Sequence, residues 1–203
     1  MVTPEAAAAD LAAVEIRRAV PDDWAMLRRI RLEALADAPY AFGSTLAGEI
    51  DRPEQFWRDR IAAWPQFMAW AGTEPVGMAA GFAQPPRRSG RGSGHDGSGH
   101  DGSRGQDAGA GASGSWHLVS MWVSPTARGH GIADRLVAAV AACARADSAE
   151  RLTLWVTDAN TRARAFYLRL GFRSTGRRQL VRPEEPDHWE EEQTLDLSRP
   201  TAP

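Results

Sequence analysis

Two glycines, Gly129 and Gly131, separate a strand-like segment from a helical one in this 203-residue chain. Residues 116–123 are rich in aromatic and β-branched side chains, which favours a strand. Residues 132–146 carry apolar side chains at helical spacing, which predicts a helix with one buried face. A strand, a glycine turn and a helix in immediate succession indicate an α/β fold.

The glycine turn also predicts a ligand. Because neither Gly129 nor Gly131 carries a Cβ, the backbone can bend there and approach a bound group closely. The free amides of the first turn of the helix, together with its positive dipole end, attract an anion. The segment therefore predicts a site for a phosphate-bearing cofactor that needs no charged side chain.

Two common phosphate-binding loops are excluded by the residues present. The dinucleotide motif requires a third glycine where this chain has Asp134. The nucleoside triphosphate loop requires a lysine, and all 24 basic residues of this chain are arginine.

The segment Arg128-Gly129-His130-Gly131-Ile132-Ala133, preceded by Val123-Ser124-Pro125, resembles the acetyl-CoA pyrophosphate loop of the GCN5-related N-acetyltransferase (GNAT) superfamily. A second segment, residues 160–172, resembles the Asn-x-x-Ala-x-x-Phe-Tyr-x-x-x-Gly-Phe segment of the same family. The two segments stand in the family's order, separated by one helix and one strand. The resemblance is firm over residues 121–172, looser over 15–82, and does not extend to 84–115.

The resemblance implies a mixed, mostly antiparallel central sheet flanked by helices, with a splayed strand before the acetyl-CoA loop. It also implies an acetyltransferase that moves an acetyl group from acetyl-CoA to an amine of a small molecule, a protein or a peptide. The alternative is a catalytically degenerate sensor or regulatory module of the same fold that binds acyl-CoA without turnover, because no obvious carboxylate base is present. A monomer and a homodimer are both compatible with the sequence.

By resemblance, acetyl-CoA contacts three segments of the chain. In the first segment, Met121 to Val123, main-chain groups are expected to pair with the pantetheine arm, and one amide is expected to stabilise the oxyanion of the reaction. Asn160 is expected to bond the same arm, or to serve only as a helix cap. His130 contacts the pyrophosphate or is simply exposed. The full set of expected cofactor-binding residues is Met121, Trp122, Val123, Arg128, Gly129, His130, Gly131, Ile132, Ala133, Asn160, Phe166 and Tyr167.

Two residues are candidates for proton transfer. Tyr167 matches the tyrosine of the second segment, and a phenol with a pKa near about 10 can protonate a departing thiolate. The alternative for Tyr167 is a core aromatic at helical spacing. His117 lies on the strand about where some relatives carry a glutamate, and a histidine base titrates in the right range. The alternatives are a hydrogen-bonded or exposed histidine and a water chain in place of a dedicated base.

Composition limits the partners. A net charge of −2 and a pI near 6.2 give no electrostatic case for nucleic acid. No apolar run approaches the roughly 20 residues of a membrane span. The single Cys143 cannot form an internal disulfide, which fits a cytoplasmic protein, and its place on the apolar face of the helix predicts a core residue.

The expected organisation is one domain over residues 15–198, preceded by a flexible Ala-rich tail over 1–14. Residues 84–115 contain ten of the nineteen glycines and no Leu, Val, Ile, Phe, Tyr or Trp. Because the segment cannot bury enough apolar surface to become ordered, a disordered insertion between two hairpin strands is expected. A metal site at His95 and His100 within this insertion is the alternative, but two histidines in such a tract are a poor site. No metal is therefore expected.

The remaining patterns predict seven strands and four helices, with a loop at residues 40–44 between the first two helices. The predicted strands are residues 15–20, 67–71, 76–82, 116–123, 152–156, 173–181 and 191–197, and the predicted helices begin at Pro21, Pro53, Ile132 and Asn160 or Thr161.

Overall fold

The computed structural model of the chain describes residues 11–85 and 114–198. These residues form seven strands and five α-helices. The strands are β1 (Glu15–Arg18), β2 (Gln66–Ala71), β3 (Glu74–Ala83), β4 (Ser115–Val123), β5 (Arg151–Thr157), β6 (Arg173–Leu180) and β7 (Trp189–Asp196). The helices are α1 (Trp24–Asp37), α2 (Leu46–Glu49), α3 (Glu54–Ala63), α4 (Ile132–Ala146) and α5 (Thr161–Arg169).

All seven strands belong to one sheet, in the order β1-β2-β3-β4-β5-β7-β6. Every neighbouring pair is antiparallel except β4 and β5, which are parallel. The mixed, mostly antiparallel sheet flanked by helices that the resemblance implied is therefore confirmed.

Helices cover the sheet on both faces because its strands are apolar on both sides. Helix α4 packs across β2, β3 and β4 on one face, here called the α4 face, where its Leu136 and Val140 are fully buried and the α5 residue Tyr167 joins the same core. Helices α1 and α3 cover the opposite face, here called the α1 face, where Ile30 and Trp57 are fully buried. Along β2 the side chains alternate between the two cores, with Met68 and Trp70 on the α1 face and Ala69 and Ala71 on the α4 face.

Helix α1 begins after a 3₁₀ turn at Pro21–Asp23, and its apolar side chains Leu27, Ile30, Ala34 and Leu35 are buried. Helix α4 has the predicted bounds of residues 132–146. The short helix α2 was not predicted; its N-cap is Thr45, whose Oγ1 accepts a hydrogen bond from Gly48 N at 3.2 Å. The last two strands, β6 and β7, pair with each other, and β7 also pairs with β5 along the length of β5, which the local pattern did not indicate.

Two expected boundaries differ from the structure. The tail expected over residues 1–14 ends earlier, because Leu11–Ala13 form a 3₁₀ turn and Val14 is buried in the α4-face core. The insertion expected over 84–115 has ordered ends: Gln84 N donates to Ser115 O at 2.9 Å, and Ser115 is the first residue of β4. Most of the expected insertion, including His95 and His100, lies outside the described residues.

Cys143 packs against the α4-face core, as expected, and burial raises the pKa of its thiol. A thiol with a raised pKa is a poor nucleophile. No helix within residues 11–85 and 114–198 has the length and apolar character needed to cross a membrane.

Candidate active site

Strands β4 and β5 diverge from one another. Their parallel register runs only from Ser115 and Arg151 to His117 and Thr153. Beyond these residues each strand continues without pairing to the other, so a wedge-shaped opening, here called the β4–β5 gap, widens toward their carboxyl ends. This is the splayed strand that the resemblance implied.

A bulge interrupts β4 at the side of this gap. Ala80 pairs with Val119 and Met78 with Trp122, so two residues of β4, Ser120 and Met121, stand opposite one residue of β3. Ser120 has a φ of 56°, in the left-handed region that serine rarely adopts. A bulge reverses which face the following side chains occupy.

The reversal is visible in the packing of β4. Before the bulge, Trp116 and Leu118 belong to the α4-face core; after it, Val123 does, while Trp122 belongs to the α1-face core. The side chains of Trp122 and Val123 are therefore both buried, and this segment offers a ligand mainly its backbone.

The direction of the backbone follows from one hydrogen bond. Ser124 N donates to Val76 O at 2.9 Å, on the β3 side. Because successive amides of a strand point to opposite sides, Val123 N points into the β4–β5 gap and Trp122 N points back toward β3. Of the three β4 residues predicted to bind the cofactor, Trp122 is therefore directed away from the gap.

The glycine loop closes the carboxyl end of β4 and starts α4. Gly129 and Gly131 have φ values of 89° and 70°, and a Cβ added to either would meet no atom within 4 Å. The loop is therefore open on its outer side. The first helical bond joins Arg135 N to Gly131 O, which leaves the amides of Ile132 and the next residues of the first turn without a partner inside the helix. This geometry fits a pyrophosphate.

The side chain of Arg128 connects the glycine loop to β4 and to α1. Its Nε donates to Val123 O at 3.0 Å, and its Nη2 donates to the Asp37 carboxylate. Trp122 Nε1 donates to the same carboxylate at 2.9 Å. Burial alone would raise the pKa of Asp37, but the hydrogen bonds from Trp122 and Arg128 outweigh it and lower that pKa. His130 is exposed, with Nδ1 at 3.1 Å from Arg128 O.

The second predicted segment lies at the start of α5 and along it. Asn160 Oδ1 accepts a hydrogen bond from Ala163 N at 3.1 Å, so the helix-cap function expected as one alternative is present. Tyr167 is 7% exposed and stacks edge-to-face with Phe166 and Phe172 at centroid distances of 5.1 and 5.4 Å. Burial raises the pKa of Tyr167 well above its ordinary value, which keeps the phenol protonated.

His117 is positioned differently from a catalytic base. It is 1% exposed, and its Nδ1 lies 2.8 Å from Thr153 Oγ1 on β5. This contact joins β4 to β5 where the two strands are still paired, at the closed end of the gap. The geometry favours the alternative of a buried, hydrogen-bonded histidine.

A cavity of about 600 Å³ lies at the carboxyl end of β5. It is open to solvent, and the chain after α1 and the connection between β6 and β7 form its two sides. Arg182 Nη2 joins these sides by donating to Pro39 O at 3.0 Å. His188 Nδ1 lies 2.7 Å from Glu185 Oε2, and His188 Nε2 is buried with no hydrogen-bond partner among the described residues. The cavity is lined by Pro39, Tyr40, Ala159, Arg182, Glu185, Pro186, Asp187 and His188.

Sequence reasoning did not find this cavity, nor Asp37. The residues come from segments far apart in the chain, and none belongs to a recognisable motif. No group of three or more metal-binding side chains is found within the part of the chain that the structure describes.

Solved structures with the same fold include bacterial acetyltransferases. A GNAT-family acetyltransferase of Streptococcus pneumoniae is 16% identical, with a TM-score of 0.68 over 90% of this chain and 98% of that one. The yncA protein of Salmonella typhimurium, solved with its cofactor acetyl-CoA, is 16% identical, with a TM-score of 0.66 over 94% and 97%. The ribosomal-protein-alanine N-acetyltransferase of Brucella melitensis is 20% identical, with a TM-score of 0.63 over 90% and 99%.

The comparison with curated proteins gives no match. The profile of the acetyltransferase (GNAT) family matches residues 28–172, which include most of α1, the bulged strand, the glycine loop and α5. The chain belongs to the acetyltransferase (GNAT) family.

Proposed function

We propose that this protein transfers an acetyl group from acetyl-CoA to an amine. The observation that carries this proposal is the combination of the β4–β5 gap with an open glycine loop at the carboxyl end of β4. A gap beside an unpaired strand edge suits an extended amide-containing arm, and the loop suits its phosphates.

Main-chain groups would hold most of the cofactor. Val123 N points into the gap, where it can pair with an amide of the pantetheine arm. The amides of Gly129, Gly131, Ile132 and Ala133 would bind the pyrophosphate, because the loop leaves space on its outer side. Acetyl-CoA supplies the acetyl group as a thioester, which an amine nitrogen can attack.

Tyr167 is the proposed general acid. Its phenol is protonated at neutral pH because burial raises its pKa, and a protonated hydroxyl can donate to a leaving thiolate. Its packing against Phe166 and Phe172 restricts the ring to one orientation.

The cavity at the carboxyl end of β5 is the proposed entry site for the amine. It lies at the carboxyl end of β5, toward which the gap widens, and it is lined by a histidine that would accept the proton that the amine must lose. Glu185 orients the imidazole of His188 through Nδ1, which leaves Nε2 for this proton. This pair would replace His117, which lies buried at the closed end of the gap.

The decisive experiment measures thiol release from acetyl-CoA with a broad panel of amines, amino acids, peptides and aminoglycosides. We expect turnover with at least one class of amine, and we expect acetyl-CoA to bind when no amine is present. Acetyl-CoA binding with no turnover on any acceptor would instead support the alternative of a sensor with the same fold. No acetyl-CoA binding would contradict both.

A further inference from the structure

A chain of buried charged groups runs from the helices on the α1 face to the β4 bulge. It begins at Glu49 of α2, which is 4% exposed. Arg31 of α1 donates to this carboxylate twice, from Nη2 at 2.8 Å and from Nε at 3.0 Å. Ser44 Oγ lies 2.5 Å from the same carboxylate, and Arg60 Nη1 of α3 lies 3.8 Å from it. Three helices therefore meet at one carboxylate.

Arg60 carries this network to the strand. Its Nη2 donates to Ser120 Oγ at 3.1 Å, although the two residues are 60 positions apart in the chain. Ser120 is the bulge residue with the left-handed backbone conformation. Such a conformation is unfavourable for serine and persists only where the surrounding structure imposes it. The hydrogen bond from Arg60 is one such constraint.

The two guanidinium groups of the network lie largely out of contact with solvent. Arg31 is 5% exposed, and the Arg60 side chain is 11% exposed. Buried charges of this kind are a weak source of stability, since apolar side chains of the same volume often serve as well. A role in the function of the protein would explain why charged side chains occupy these buried positions.

We propose that Arg60, held in place by Glu49, is a positioning residue that fixes the β4 bulge, and with it the backbone amides beside which the thioester carbonyl binds. The inference rests on the proposed function, because it requires acetyl-CoA in the β4–β5 gap. The bulge sets the direction of the amides of Met121 and Val123, which follow it. An amide that is fixed before the reaction stabilises developing negative charge without reorganisation.

The test uses the acetyl-CoA carbonyl itself, so it needs no knowledge of the amine. Acetyl-CoA labelled with ¹³C at the carbonyl is bound to the protein, and isotope-edited infrared spectroscopy records the carbonyl band. In the parent protein we expect the band below its frequency in free acetyl-CoA, because positioned amide donors polarise the carbonyl. In Arg60→Leu and in Ser120→Ala the band should move back toward the free value.

Arg58→Leu is the matched control. Arg58 lies on the same helix, but it pairs with Glu54 and Asp22 at the surface. Its substitution should leave the band at the parent frequency. Acetyl-CoA affinity should change less than about threefold in all three variants, because the loop amides bind a part of the cofactor far from the carbonyl.

With an amine found by the panel, the single-turnover rate of Arg60→Leu should fall about tenfold, less than the loss expected for removing a direct oxyanion donor. A parent-like band in a folded Ser120→Ala protein that binds acetyl-CoA would overturn the inference and leave the proposed function intact. If Arg60→Leu does not fold, Ser120→Ala decides alone, since it removes a single hydroxyl. Failure of the parent to bind acetyl-CoA would overturn the proposed function first, and this inference with it.

Discussion

Arg128 and Asp37, which are 91 positions apart, form an ion pair that ties the glycine loop to the last residue of α1. Trp122 of β4 donates to the same carboxylate, so strand, loop and helix meet at one side chain. The guanidinium therefore supports the loop from inside, while the loop amides face outward. That Arg128 also contacts the pyrophosphate of acetyl-CoA stays a prediction.

Asp37→Asn should weaken acetyl-CoA binding without removing it. The substitution keeps a hydrogen-bond acceptor for Trp122 but removes the charge that holds Arg128. The effect should be about threefold in Kd, since an ion pair that is partly exposed contributes less than about 1 kcal/mol. Isothermal titration with acetyl-CoA measures it. Asp22→Asn, which alters an exposed pair with Arg58, is the control and should bind like the parent.

Gly131→Val should abolish acetyl-CoA binding. Gly131 has a φ of 70°, and a side chain there would enter the space proposed for the pyrophosphate. Gly176→Val is a matched control, because Gly176 has a φ of 78° and equally open surroundings on β6. Both substitutions impose similar backbone strain and should lower Tm to a similar extent. Equal acetyl-CoA affinity in the two variants would show that the phosphates bind elsewhere.

Tyr167→Phe should slow acetyl transfer while preserving the fold. The ring keeps its contacts with Phe166 and Phe172, and only the hydroxyl is lost. General acid catalysis contributes about 10²–10⁴-fold, and we expect the lower end because the thiol of coenzyme A is itself a good leaving group. Single-turnover kinetics measures the rate of the chemical step, and titration with acetyl-CoA measures cofactor affinity, which should stay at the parent value. A rate within about twofold of the parent would make Tyr167 a packing residue only.

His188→Gln should impair use of the amine and spare acetyl-CoA. If His188 Nε2 accepts a proton from the amine, kcat/KM for the amine should fall about 10²-fold, while Kd for acetyl-CoA stays at the parent value. An unchanged kcat/KM for the amine would place proton acceptance on water or another group.

The stability of the protein should depend on Glu49 in a defined pH range. Burial alone would raise the pKa of Glu49, but hydrogen bonds from Arg31 and the charges of Arg31 and Arg60 lower it below its ordinary value of 4.5. A carboxyl whose pKa is lower in the folded chain stabilises it above the ordinary value, and this contribution is lost as the pH falls through the folded pKa.

Glu49→Gln should therefore lower the free energy of unfolding by about 3 kcal/mol near neutral pH, the cost of leaving a buried guanidinium unpaired. The difference from the parent should narrow as the pH falls below 4.5 and through the lower folded pKa, because the parent carboxylate loses its charge over that range. Urea unfolding at a series of pH values measures both effects. Glu54→Gln, at an exposed pair with Arg58, should show neither.

Local patterns in the chain were sufficient for most of the elements and for the family. Helix α4 follows from the apolar spacing between Ile132 and Ala146, and the glycine loop follows from two residues that tolerate positive φ. The conformation of the glycine loop could be predicted because a short contiguous motif specifies it, while its binding of acetyl-CoA stays a prediction.

Properties that depend on distant pairs could not be predicted in this way. Nothing near His117 indicates Thr153, and only the parallel register of β4 and β5 brings the two together. The position of β7 next to β5 in the sheet likewise depends on pairing between strands that are distant in the chain.

The contacts that complete the candidate site are of this second kind. Arg60 approaches Ser120, and Asp37 approaches Arg128, because helices of the α1 face pack over the strand that carries the bulge. The direction of each side chain at the bulge depends on a one-residue shift in register, which local composition does not encode. The sequence alone thus determined the type of cofactor site, through a contiguous motif. Tertiary packing decided which charged groups surround it, because those groups meet only when helices and sheet are assembled.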